Sequence, residues 1–254
     1  MIYRALITDL DGTAVKMTSD GEEIDAATRQ AVASGIVAGK FIACATGRDW
    51  AVARPVIEYP GLVAPCIVEG GTRIVDPRNG STLWAKSLDN GAARQILKIF
   101  HSEATSGKVM HSTNLTLRPL NIVGDITHSE SFVYLLGVHE READRIRTRI
   151  NASNYAVAHL TPSWDGNGLI DVHVTHPEAT KEHAMLMWHK IVGITRSETI
   201  GMGDSGNDIP IFKAAGLKVA VGNATPELKV LADKIGPDVE DNALEYVINT
   251  FLMP

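Results

Sequence analysis

The sequence predicts an α/β protein with a doubly wound parallel sheet and an inserted α+β unit. Three observations carry this. Short apolar runs alternate with helical patterns at both ends of the chain, each of these runs ends in glycines and polar side chains, and the middle changes to a helix-strand-strand rhythm that occurs twice. With 254 residues, 44% of them apolar, the chain is long enough for a core and a smaller insert.

A strand is predicted over residues 3–8, followed by a polar, glycine-containing stretch over 12–21. A helix follows over 24–38 with Asp25 near its start, then a strand at 40–45, a helix at 50–58 interrupted by Pro55, and a strand at 64–68. Two short strands at 72–75 and 82–86 flank Asp76-Pro77-Arg78-Asn79-Gly80, a strong hairpin signal. The middle reads as a helix at 89–103, strands at 108–111, 115–119 and 132–138, a helix at 140–150, and strands at 156–160 and 169–175. Such a pattern suits an α+β layer with an antiparallel sheet. The alternation then resumes with a helix at 178–191, a strand at 198–201, a helix at 208–214, a strand at 218–221 and a final helix at 243–251. The expected division is a discontinuous core of residues 1–82 and 178–254 and an insertion of residues 83–177.

Composition narrows the function. A net charge of −6 without a basic cluster argues against nucleic acid as the main partner, while leaving room for a small anionic substrate at a local positive site. No run reaches the roughly 18 apolar residues of a membrane span, and the start shows no signal-peptide pattern, so no membrane partner and a cytoplasmic location are expected. Cys44 and Cys66 each sit in an apolar strand-like run and read as buried small hydrophobes. The expected assembly is a monomer or small homo-oligomer.

The most informative segment is Asp9-Leu10-Asp11-Gly12-Thr13. Alternation at a strand's end turns Asp9 and Asp11 to one side, and two carboxylates so close need a cation or a shared proton. An all-oxygen pair suits Mg²⁺ better than zinc. Gly12 permits a sharp turn, and the Thr13 hydroxyl is expected to bond to local backbone donors. An Asp-rich turn also has an ordinary structural reading, so other segments must decide. Ligands of open α/β sheets bind beyond the carboxyl ends of the strands. There the sequence places, in order, Asp9 and Asp11, Thr46-Gly47-Arg48, Glu69-Gly70-Gly71, Gly203-Asp204-Ser205-Gly206-Asn207-Asp208, and Gly222-Asn223.

Taken with Lys181, the first, second and fourth of these segments resemble, in order and spacing, the four motifs of the haloacid dehalogenase superfamily, and the insertion resembles the large α+β cap of its Cof-type phosphatases. The resemblance covers essentially the whole chain. It implies a Mg²⁺-dependent hydrolase of a small phosphorylated metabolite, commonly a sugar phosphate. Asp9 would be the nucleophile that forms an aspartyl phosphate, and Asp11 the general acid and base, binding metal through its backbone carbonyl. Thr46 would offer its hydroxyl and amide to the phosphoryl group, with Gly47 allowing close approach and Asn207 as a further hydrogen-bonding partner. Lys181 would neutralise transition-state charge. The implied metal set is Asp9, Asp11, Asp204 and Asp208, the last acting from further out. Two positions depart from the common pattern: Glu182 follows Lys181 in place of glycine, and Glu69-Gly70-Gly71 stands where related phosphatases often carry Asn-Gly-Ala. If Glu69 faces the site, it should disfavour a second anionic group on the substrate and favour hydroxyls or an amine.

Rival readings come from other classes. Gly201-Met202-Gly203-Asp204-Ser205-Gly206 matches a dinucleotide fingerprint, with Glu227 at the expected distance, but Asp204 would put a carboxylate where pyrophosphate belongs. A Mg²⁺-binding receiver module has no room for the insertion. A phosphomannomutase-like phosphotransferase has a comparable core and cap, although Thr46-Gly47-Arg48 fits the hydrolases better. His101, His111, His128, His139, His159, His173 and His176 fall in the insertion or at its exit, without the regular spacing of a zinc site. Arg118, Trp164, Asp165 and His173 are candidates to line a substrate pocket, and Arg48 is a candidate either to contact the substrate or the cap or to form a surface ion pair.

Overall fold

The computed structural model describes residues 3–18, 21–58, 60–163 and 167–254. Trp164 and Asp165 lie outside them. By its contacts the chain divides into two compact units, Met1–Trp84 with Thr180–Pro254, and Ala85–Ala179. Among the described residues no helix is long and apolar enough to cross a membrane.

The N-terminal segment contributes β1 (Ala5–Thr8), β2 (Lys16–Thr18), β3 (Gly21–Glu23), α1 (Ala26–Val37), β4 (Phe41–Cys44), α2 (Trp50–Glu58), β5 (Cys66–Val68), β6 (Arg73–Val75) and β7 (Thr82–Ala85). The insertion follows as α3 (Asn90–Glu103), β8 (Lys108–His111), β9 (Asn114–Pro119), β10 (Phe132–Val138), α4 (Glu140–Asn151), β11 (Val157–Pro162) and β12 (Ile170–Thr175). The chain returns through α5 (Lys181–Val192), β13 (Thr199–Gly203), α6 (Ile209–Lys213), β14 (Leu217–Ala220), α7 (Pro226–Leu231), β15 (Lys234–Ile235) and α8 (Ala243–Val247).

In the first unit the main sheet runs β15-β14-β13-β1-β4, every pairing parallel, and a parallel bridge from Ala45 to Ile67 continues it to β5. Every residue of β1 is buried, as expected of a central strand covered on both faces. One helical layer is α1 with α8, and the other is α5 with α6, which rests on β13 and β14. Asp25 and Thr180 accept the Thr28 and His183 amides and so fix where α1 and α5 begin. Trp188 is fully buried on α5, and its Nε1 donates to the Pro65 carbonyl at 2.6 Å. The order reverses at β1, because the chain leaves it toward β4 and returns on its other side at β13. That reversal opens a crevice at the carboxyl ends of these two strands.

The second unit is an antiparallel sheet, β11-β12-β10-β8-β9, whose residues Val133, Leu135, Val172 and Val174 form a core with Ile96, Phe100, Ile146 and Ile150 of α3 and α4. A cross-strand row runs through Tyr134, His173 and His159, with Tyr134 stacked on His173 at 4.2 Å. Burial, then His159, pushes the His173 pKa down to about 3, so this imidazole is neutral. His111 instead pairs with the fully buried Glu130 at 2.9 Å. Arg118 lies exposed on β9.

Several local expectations change. The polar stretch after β1 contains the β2–β3 hairpin, whose three-residue strands carry no apolar alternation to reveal them. Pro55 does not interrupt α2, which runs through it. The α5 helix begins at Lys181 because Thr180 caps it and residues 176–179 form a turn closed by Ala179 N–H to the His176 carbonyl. Ending two residues later than expected, β13 reaches Gly203. The expected C-terminal helix is α8 followed by a π-helical turn at Ile248–Leu252. Short α7 and two-residue β15 were not foreseen. Cys44 and Cys66 are free and buried.

The glycine that matters most to the site is Gly71. Its φ is +104°, and a Cβ there would lie 2.2 Å from the Thr180 carbonyl carbon and 2.3 Å from the Lys181 nitrogen. The turn after β5 therefore abuts the first residue of α5 with no room for a methyl group. Gly71→Ala is expected to cost about 2–4 kcal/mol through backbone strain and overpacking. It should also lower turnover by displacing Lys181. Urea denaturation with parallel activity assays checks this, and a change below about 0.5 kcal/mol would contradict the close-approach argument.

Candidate active site

Four chain segments distant in sequence meet where β1 and β13 end. Asp9 follows β1, its amide donates to the Met202 carbonyl at 3.0 Å, and it is 4% exposed. Gly12 takes a φ of +71°, and the turn it allows brings the amides of Thr13, Ala14 and Val15 to the Leu10 carbonyl. Lys181, in the first turn of α5, is also buried. Its Nζ donates to Asp9 Oδ1 at 2.9 Å and to Asp208 Oδ1 at 2.8 Å. The other oxygen of Asp208 accepts the amides of Asp204 and Ser205 at 3.1 and 3.2 Å. Asp204 follows β13, and its Oδ1 accepts the Thr13 hydroxyl at 3.1 Å. Thr13 thus gives its proton to a partner distant in sequence. A half-buried carboxylate is the stronger acceptor, and the tight turn leaves the Thr13 side chain facing it.

Ligand oxygens of Asp9, Asp204 and Asp208 lie within 4.8 Å of one another, the one group of three or more potential metal ligands so placed among the described residues. Three carboxylates face one ammonium, which leaves excess negative charge in a buried place. Burial pushes the Asp9 pKa up, Asp208 and Asp11 add to the shift, and Lys181 opposes it. Asp204 is raised by burial and by Asp208, against the Thr13 hydrogen bond and Lys181. Burial disfavours the Lys181 charge, but Asp9 and Asp208 outweigh it and raise its pKa. Such an oxygen-only set fits a hard cation, which would supply the missing positive charge. Both Asp208 oxygens are already engaged, so Asp9 and Asp204 are the better direct donors.

The Asp11 carboxylate is not in this group. The Arg48 guanidinium grips it from the side, Nε lying 3.0 and 3.2 Å from its two oxygens and Nη2 bonding to Oδ1. Fully buried, Thr46 gives its amide to the Ile67 carbonyl at 3.0 Å, so that amide is not offered to a phosphoryl group as expected. The bridge from β4 to β5 claims it. The Thr46 hydroxyl oxygen accepts the Arg48 amide at 3.1 Å, leaving its proton to donate elsewhere. A Cβ at Gly47 would meet nothing within 4 Å, so this position is open to a ligand. Asn207 Oδ1 accepts the Ser205 hydroxyl at 3.0 Å.

Glu69 does not present a free carboxylate. It is buried in a left-handed conformation, φ +55°, with Oε1 held by Arg73 at 2.7 Å and Oε2 by the Thr72 hydroxyl at 2.9 Å. The proposed bias against a second anionic group therefore lapses. Asn223, whose role the sequence left unassigned, donates Nδ2 to the Gly12 carbonyl at 2.8 Å and accepts the Val239 amide, tying the β1 turn to the C-terminal segment. The glycines of the dinucleotide-like stretch also find their reason. A Cβ at Gly201 would lie 2.8 Å from Ala215 Cβ, and one at Gly203 would lie 2.5 Å from Asp208 Cβ. Close packing demands them.

Comparison with known proteins agrees with this geometry. A family model described as haloacid dehalogenase-like hydrolase matches residues 6–118 and 121–248. An HMP-PP phosphatase of Serratia proteamaculans is 26% identical over 92% of this chain and 89% of its own. A 5-amino-6-(5-phospho-D-ribitylamino)uracil phosphatase of Bacillus subtilis is 26% identical over 96% and 94%. Among solved structures, a haloacid dehalogenase-like hydrolase from Bacteroides thetaiotaomicron superposes with a TM-score of 0.80 at 18% identity, covering 97% of this chain and 98% of the other. A subclass IIB sugar phosphatase gives 0.76 at 18% identity, covering 98% of both chains. The chain therefore belongs to the haloacid dehalogenase-like hydrolases and is a phosphatase, a hydrolase of phosphoric monoesters.

Proposed function

We propose that the protein is a Mg²⁺-dependent phosphomonoesterase that hydrolyses a small phosphorylated metabolite, a sugar phosphate foremost, through an aspartyl phosphate on Asp9. The first unit acts as the catalytic core and the inserted unit as a cap that selects the substrate. The observation that carries this reading is the buried Lys181 ammonium, bonded to Asp9 and Asp208 beside Asp204. A buried carboxylate whose orientation is fixed by a lysine, at the open end of a parallel strand, is prepared for in-line attack on phosphorus. Asp9 displaces the leaving alkoxide, which takes a proton from Asp11. Water then attacks the phosphoryl group, Asp11 takes a proton back, and phosphate leaves Asp9 free. Lys181, the Thr46 hydroxyl and the open backbone at Gly47 surround the phosphoryl oxygens, with Asn207 at the rim. Mg²⁺, held by Asp9 and Asp204 and by the Asp11 carbonyl with Asp208 behind, would supply the charge that lets two anions approach. The sugar-phosphate assignment draws support from the solved subclass IIB neighbour, and the substrates in the names of the two curated relatives belong in the same panel.

Two expectations test this reading. Asp9→Asn should abolish phosphate release from an aryl phosphate and a sugar-phosphate panel, a loss of at least ~10⁴-fold, with the circular dichroism of the wild type. Retained turnover would remove Asp9 as the nucleophile. Saturating Mg²⁺ should raise the melting temperature by several degrees, since binding at ~100 times Kd contributes about 2.7 kcal/mol. Asp204→Asn relieves carboxylate repulsion, so its metal-free form should melt no lower than wild type while most of the Mg²⁺ shift disappears. An undiminished shift would place the cation elsewhere.

A further inference from the structure

We infer that Glu69 is a positioning residue for the phosphoryl-binding loop, its ion pair with Arg73 holding the left-handed turn that fixes Thr46 and Gly47 in place. This rests on the reading of that loop as the seat of the phosphoryl group. Glu69 stands at a φ of +55°, where a residue with a Cβ is strained. Among the described residues the one other non-glycine residue with a positive φ is Asn242, and asparagine tolerates that region. A glutamate so placed has to be held. Its Oε1 accepts Arg73 Nη1 at 2.7 Å, and its Oε2 accepts the Thr72 hydroxyl at 2.9 Å. Arg73 is anchored in turn, since it pairs with Val68 across β5 and β6 and its Nη2 donates to the Thr82 hydroxyl at 3.0 Å. The carboxylate is buried and the guanidinium partly so, which makes the pair stronger than one on the open surface.

What the turn holds is the loop after β4. The Glu69 amide donates to the Arg48 carbonyl at 2.8 Å, and the Gly70 amide to the Thr46 carbonyl at 3.0 Å. These two bonds clamp the backbone on either side of Gly47. The dihedrals of Glu69 set the direction of the Gly70 amide, so an extended residue 69 would turn that donor away from Thr46. One residue further on, Gly71 abuts Thr180 and Lys181 without room for a Cβ. A single three-residue turn therefore meets both the loop that carries Thr46 and the first residue of α5. It sets the spacing between the Thr46 hydroxyl and the Lys181 ammonium, and the Glu69 carboxylate acts on that spacing through the backbone.

The test is the inhibition constant of inorganic phosphate, the product of hydrolysis, read beside the KM for p-nitrophenyl phosphate and the melting temperature. Glu69→Ala removes the ion pair and leaves a strained residue, so both constants should rise ~10-fold or more. The melting shift produced by saturating Mg²⁺ should persist, because Asp9 and Asp204 lie off this loop. Glu69→Asn, which takes the left-handed region without a partner, should recover most of the loss. Adding Arg73→Gln to Glu69→Asn should then cost little further, although Arg73→Gln alone should weaken phosphate as Glu69→Ala does. Both constants within about twofold of wild type in Glu69→Ala would reduce the residue to a structural role and overturn the inference. Glu69→Asn no better than Glu69→Ala, or full additivity in the double variant, would overturn it as well. Thr46→Val tests the underlying reading separately: an unchanged inhibition constant there would withdraw the loop from phosphoryl binding, and the inference with it. Should Glu69→Ala fail to fold, Glu69→Gln keeps the size and weakens the pair. Its inhibition constant should rise ~3-fold, and no rise would overturn the inference.

Discussion

The structure of the site depends on one interaction, the ammonium of Lys181 between Asp9 and Asp208. All three groups are buried, and they come from the end of β1, the start of α5 and the turn before α6. Removing such charges from water costs several kcal/mol each, and only close, well-directed hydrogen bonds recover it. Loss of the lysine would strand two buried carboxylates, a change of about 3–5 kcal/mol in comparable settings. The three groups thus hold together three segments that share no continuous element, at the place where the carboxylates cluster. Two carboxylates for one ammonium, with Asp204 adjacent, leave the site still short of positive charge. A hard cation would meet that deficit.

Close backbone approach makes the interaction reachable. Lys181 meets Asp9 because α5 begins against Gly71, where the backbone leaves no space for a Cβ. Asp208 reaches Lys181 because Gly203 likewise admits its side chain beside β13. Asn223 holds the Gly12 carbonyl, so the turn that carries Asp11 is braced by the C-terminal half of the chain. Rigid strand ends thereby present the carboxylates, and the glycines are the condition of that precision rather than sources of mobility.

What the sequence made legible follows from range. Strands β1, β4 and β14 are dominated by short apolar runs, and α1 and α3 begin after Asp25 and Asp89, whose caps act within three residues, whereas α5, expected from residue 178, starts only after Thr180. The shared direction of Asp9 and Asp11 from a strand end is also a local inference, yet their partners are not. The Thr13 hydroxyl bonds to Asp204, 191 residues away, and Asn223 to Gly12, 211 away. Arg48 could have been paired with Asp11 only by knowing that β1 and β4 are neighbours in register, Thr8 beside Cys44. The adjacency of β4 and β5 likewise consumes the Thr46 amide, which a turn reading had left free. Glu69 misled for a different reason. Its position at a strand's mouth suggested a charge facing the ligand, whereas Arg73, four residues on, captures it across a left-handed turn.

The turn after β13 shows how one side chain decides between two chemistries. A glycine-rich strand-to-helix turn with exposed amides is an anion cradle, which is why Gly201 to Gly206 resembles a nucleotide-binding loop. Here the cradle is filled from within, because Asp208 Oδ2 accepts the amides of Asp204 and Ser205. A pyrophosphate would have to displace a buried carboxylate that is also bonded to Lys181, and the short α6 adds little dipole to attract it. Once its second oxygen is fixed by these amides, Asp208 can hold the lysine in a single orientation, and the lysine in turn orients Asp9. An element built like a phosphate-binding loop therefore acts on Asp9 indirectly, by anchoring the ammonium that orients it.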